Sequence, residues 1–177
     1  EESDVLELIG DSWLKAGIKL HIKPSQRDVL RNRIFSGEAI MTVWSGLENG
    51  VPNLTTPPTE LAPTSQIQLQ WPKWGQYVET NKLSGQKVDT PEGDLLVRLL
   101  DEWYASVDIT QKEAIWHKML NLHSENLFTI GIIAGVLQPI VVGRTLQNVP
   151  EKGMYNWDPG AHFGIYEPDT FWFINSK

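Results

Sequence analysis

A chain of 177 residues with a formal net charge of -7 suits one domain with a core of its own, or one lobe of something larger. The acidic balance disfavours a nucleic-acid partner, because phosphate neutralisation needs clustered Lys and Arg. Lack of cysteine removes disulfides, thiolate metal ligands and a cysteine nucleophile, and no apolar run approaches the roughly 20 residues that span a bilayer.

In chain order, Val5, Leu6, Leu8, Ile9 and Trp13 recur at helical spacing, and Gly17 stands where a left-handed residue would end the helix. Glu1 lies just before a helix already under way, so the chain reads as an excerpt. Residues 18–22 alternate as a half-buried strand does. Ser25 is the expected N-cap of a helix over 26–36, with Asp28 in its first turn, Val29, Leu30, Ile34 and Phe35 inward, and Gly37 closing it. Arg27, Arg31 and Arg33 on this helix read as a solvated face. Residues 38–45 open with a near-continuous apolar run, the pattern of a strand covered on both faces. Helix, strand, helix, strand with short joints implies that 18–22 and 38–45 pair in parallel through a right-handed crossover.

From Gly46 to about Pro91 no clear periodicity returns. Pro52, Pro57, Pro58, Pro63 and Pro72 punctuate this stretch, and Trp71 and Trp74 stand in polar surroundings. Structureless loops of such length are uncommon and are functional or disordered; the tryptophans argue against disorder, which points to a binding surface. Thr90-Pro91 then reads as a cap followed by proline at the first helical position. Leu95, Leu96, Leu99, Leu100 and Trp103 form the inner stripe of that helix, with Asp94 and Arg98 placed for an i,i+4 pair. Asp108 or Thr110 caps a second helix that presents Ile115, Met119 and Leu122. Residues 128–134 and 139–142 read as further buried strands of the same sheet. Beyond Asn148 the pattern dissolves into Gly, Pro and aromatics, ending in Phe171, Trp172 and Phe173.

A search for catalytic chemistry mostly fails. Ser12 and Lys15 match the S-x-x-K of penicillin-interacting serine enzymes, but the companion S-D-N and K-T-G motifs are missing. His117 and His123, six apart, fall on different sides of a helix, and His21 and His162 have no acidic neighbours at metal-ligand spacing. The reading is therefore non-enzymatic, with no metal and no cofactor.

Four segments, in order, resemble the solute-binding proteins of bacterial ABC importers, in the family that carries peptides, nickel and some oligosaccharides (solute-binding family 5). Residues 8–22, LIGDSWLKAGIKLHI, look like its helix, "GI", strand signature. Met41 to Gly46 is similar to its strand ending in W-x-G at the ligand cleft. Residues 121–131 and 157–164 look like its late helix-strand junction and its C-terminal segment. The resemblance covers nearly the whole chain.

The resemblance implies an α/β fold, a periplasmic-binding-protein type II-like lobe with an open, mostly parallel sheet flanked by helices. Residues 1–147 would form the second, C-terminal lobe of a two-lobed protein. Residues 148–177 would be a tail that packs on the first lobe, or through which the excerpt self-associates. Its partners would be a small solute and the importer's membrane permease, and its location periplasmic or, as a lipoprotein, at the cell surface. Peptide-binding members carry an acidic residue directly after W-x-G; here Leu47 stands there and Glu48 comes one later, so peptide and oligosaccharide both stay open. Trp44, Trp71, Trp74 and Tyr77 are the candidates to stack on the solute, and Ser45, Glu48 and Asn49 those to orient it. The rival readings are a serine hydrolase using Ser12 and Lys15, and a free-standing interaction module.

Overall fold

A computed structural model describes residues 2–44, 57–132, 139–152 and 167–174. Its first helix, α1, spans Glu2–Lys15, and α2 spans Arg27–Phe35. Both end as the glycines require. Gly17 and Gly37 each sit at φ 83°, a conformation in which a side chain would be strained. The Gly17 and Ile18 amides then donate to the Leu14 and Trp13 carbonyls at 3.0 and 2.9 Å, the paired bonds that satisfy a helix C-terminus. The start of α2 departs from expectation: Gln26, not Ser25, is the N-cap, and no side chain caps it. The arginines are not simply solvated. Arg27 lies 5.4 Å from the Trp44 ring centroid, Arg31 lies 5.4 Å from that of Phe35, and Arg33 approaches Glu38 at 3.9 Å.

The long proline-rich stretch is folded where it is described. A 3-10 turn covers Thr59–Leu61, and a helix, α3, covers Pro72–Glu79. Proline at the first helical position gives up no hydrogen bond, so Pro72 starts α3 inside a stretch whose sequence reads as a loop. Gln68 ties the stretch internally: its side-chain carbonyl accepts from the Thr64 and Ser65 amides at 3.0 and 3.3 Å, and its Nε2 donates to the Thr59 carbonyl at 2.7 Å. The Glu79 carboxylate accepts from the Gln66 amide at 3.0 Å. Gly75 is buried against the Ser65 backbone, and a Cβ there would collide with the Ser65 carbonyl. The loop therefore closes on itself through backbone as well as side chains.

Helix α4 spans Pro91–Ala105 and α5 spans Ile109–Asn126. The Thr90 hydroxyl accepts from the Gly93 amide at 3.2 Å, as the Thr-Pro pair predicts. Asp108 rather than Thr110 caps α5, its carboxylate accepting from the Thr110 amide at 3.2 Å. The two helices pack as a hairpin. Leu96, Leu99, Leu100 and Trp103 meet Ile115, Trp116 and Met119, and Leu61 and Ala62 close the cluster from the 3-10 turn. Each of these large side chains contributes about 1.5–3 kcal/mol by leaving water. This is the core.

The α/β expectation is overturned. The described residues are mostly helical, and the strands among them are two short ones. They are β1 (Leu146–Gln147) and β2 (Trp172–Phe173), antiparallel with Leu146 opposite Phe173 and Gln147 opposite Trp172. Neither 18–22 nor 38–44 forms a strand, nor do 128–132 or 139–142; residues 133–134 of an expected strand lie outside the described residues. An open, mostly parallel sheet is absent from the described residues. The physical reason lies in the helices. A helix flanking a sheet spends its apolar stripe on that sheet, whereas α4 spends its stripe on α5 and the 3-10 turn. An apolar run signals a need for burial without naming what buries it. Ile40 at 99% exposed and Val141 at 98% show that need unmet.

The end of the tail folds back on 146–147. The Ile174 amide donates to the Thr145 carbonyl at 2.8 Å, and the Asn148 side chain donates to the Thr170 hydroxyl at 2.9 Å. Trp172 and Phe173 remain exposed. No helix among the described residues is long and apolar enough to cross a membrane.

Candidate functional site

The expected site residues separate into three groups. Ser45, Glu48 and Asn49 lie outside the described residues. Trp44 is exposed, its ring under the Arg27 guanidinium. Trp71, Trp74 and Tyr77 are half-buried on one short element, with Trp71 as the N-cap of α3 and the other two within it.

Around Trp71 an aromatic cluster assembles. Trp74 stacks on it, with ring centroids 6.1 Å apart and an interplanar angle of 20°. Phe128 meets it edge-on at 5.2 Å, and the His123 imidazole lies 5.6 Å away. His123 and Phe128 also meet edge-on, at 5.3 Å. Local geometry explains the meeting. Leu127, at φ 48°, ends α5 in the left-handed region, so Phe128 leaves the helix axis beside His123 in the last turn. Edge-to-face and offset contacts of this kind add about 0.5–1.5 kcal/mol to the burial itself. Trp74 also abuts the start of α4: a Cβ on Gly93 would stand 3.1 Å from its ring.

This arrangement assigns Trp71 a packing role. Three aromatic neighbours occupy its surroundings, and it packs on the α4–α5 core. Trp44 and Tyr77 are not part of the cluster, so the structure does not gather the four aromatic candidates into one platform.

His123, which its spacing from His117 excludes as a shared metal ligand, is the hub of the site. Its Nε2 lies 2.8 Å from the Leu61 carbonyl, 62 residues away in the chain. A carbonyl only accepts, so Nε2 carries the proton and Nδ1 is the bare nitrogen. Nδ1 is buried and has no hydrogen-bond partner among the described residues. Burial lowers the His123 pKa from its ordinary value of 6.5, against a smaller opposing effect of the Leu61 bond. Two indole nitrogens, of Trp103 and Trp116, and the Gln70 amide are likewise buried without partners among the described residues.

Ser12 donates its hydroxyl to the Leu8 carbonyl at 3.0 Å, within its own helix. That bond is what a serine in a helix interior does when it is structural. Shallow grooves open at the start of α4, about 560 Å³ lined by Lys87, Asp89, Thr90 and Arg98, and between the ends of α4 and α5, about 330 Å³. Neither includes an expected site residue.

No known protein family matches the chain, no curated protein matches it, and no solved structure matches it.

Proposed function

We propose that this chain belongs to the solute-binding component of a bacterial ABC importer, capturing a peptide or an oligosaccharide-like solute and handing it to a membrane permease. It works without catalysis and without a cofactor, in the periplasm or at the cell surface. The reading rests on the ordered likeness of residues 8–22, 41–46, 121–131 and 157–164 to solute-binding family 5. It does not rest on the fold, which departs from the sheet that the likeness implies.

One observation supports it from the structure. Inside the matched segments, Ile18, Ile22, Met41, Trp44 and Ile130 are exposed outside any helix or strand. Large apolar side chains left in water offer contact to other protein or to a ligand. Binding proteins close two bodies around a solute, and such segments are where the second body and the solute would be met.

Mass spectrometry of small molecules retained by the native protein, followed by calorimetry with the retained class, tests this. The reading expects a peptide or saccharide held through Trp44, so that Trp44→Ala loses about 1–2 kcal/mol of binding. If neither class is retained and neither binds on titration, the reading is wrong.

A further inference from the structure

We propose that His123 is a pH-sensitive latch: the neutral imidazole fastens the 59–71 segment to the end of α5, and its protonation releases that segment. The contact joins two parts of the chain that are otherwise far apart in sequence. On one side stands the last turn of α5, and on the other the Leu61 carbonyl and the Trp71 ring. Because Leu61 accepts from Nε2, a second proton has to enter at Nδ1. That atom is buried beside Trp71 and Phe128 with no acceptor among the described residues. A buried cation with one N–H left without an acceptor is costly, and the site relieves the cost by opening to water.

The neighbours recorded around the ring are the Leu61 carbonyl, Trp71 and Phe128, none of which titrates. On the elements that carry them, the titratable residues nearest in the chain are Glu60 beside Leu61, Lys73 just after Trp71, and Glu125 on α5 itself. The Leu61 bond favours the imidazolium, whereas burial, the larger effect, opposes it. The net direction is downward, which agrees with the latch staying closed near neutral pH.

NMR on the intact protein tests the latch, with the pH lowered from 7.5 to 5. Three results are expected together. The His123 imidazole titrates with a midpoint below 6.5, the ordinary histidine value. Nuclear Overhauser contacts from His123 to Trp71 and Phe128, present at pH 7.5, disappear with that midpoint. Amide resonances of residues 59–71 move with it too, while those of His123→Gln, which keeps a donor for Leu61, hold still. A midpoint at or above 6.5, ring contacts that survive protonation, or equal movement in H123Q would each overturn the proposal. Should H123Q fail to fold, the wild-type midpoint and ring contacts decide alone.

Discussion

Residues 57–126 and residues 2–44 both carry helices with apolar faces, yet only the first of these regions builds a core. In 57–126, α4 and α5 face each other with wide stripes of Leu, Ile, Met and Trp, and the 3-10 turn seals them with Leu61 and Ala62. In 2–44, Ile34 is the buried apolar residue among those described, while Leu8 and Leu14 of α1 stay largely in water. The difference is one of partners rather than of composition. A stripe stabilises only when a second stripe of matching length lies against it, which the short joint at 106–108 guarantees for α4 and α5. Helix α2 touches the short α3, but among the described residues neither α1 nor α2 builds a facing pair of that extent. The chain that follows each of them leaves Ile18, Ile22, Ile40 and Met41 exposed.

Core truncations should break the comparison most visibly. Leu96→Ala empties a fully buried position and should cost about 4 kcal/mol in denaturant unfolding, whereas Leu8→Ala on α1 should stay within about 0.5 kcal/mol. Comparable losses at both would mean that the two regions are equally packed. Trp71→Ala comes next, at about 3 kcal/mol. It removes a half-buried ring with three aromatic neighbours and frees the loop from α5. Gly75→Ala should cost about 2 kcal/mol despite alanine's better helix propensity, because the added Cβ meets the Ser65 backbone. A stabilised G75A would show that the 59–71 segment is not pressed on α3.

A smaller effect sharpens the contrast through pH. The His123 pKa is depressed in the folded state, so the unfolded chain binds the proton first. Stability from this site is complete above about 6.5 and is lost as pH falls from there through the folded pKa. Thermal unfolding of the wild type should therefore weaken over that window more than that of His123→Gln. An identical pH dependence in both would remove His123 from the account.

Much of the helical half was legible in the residues. Gly17 and Gly37 announced the ends of α1 and α2, Thr90-Pro91 announced the start of α4, and the stripe from Leu95 to Trp103 announced its inner face. Helix α3 was hidden because a stretch dense in proline reads as a loop. The signal was Pro72 at a first helical position, ahead of Trp74, Gly75 and Val78 at helical spacing from Trp71. The strands misled for another reason. Alternation and apolar runs report which faces want burial, but a strand exists only when a neighbour in register supplies its hydrogen bonds. Nothing in residues 18–22 or 38–44 names that neighbour. His123 was illegible as a hub because its partner, the Leu61 carbonyl, is a backbone atom brought near only by the folded loop.

Segment-resolved amide hydrogen exchange tests the central contrast most directly. Slow exchange is expected within α4 and α5, around Leu96–Trp103 and Ile115–Met119, and fast exchange across 19–22, 40–44, 128–132 and 139–142. Strong protection in those four segments would contradict it, because it would mean that they are hydrogen-bonded strands and that the α4–α5 hairpin is not the body of the molecule.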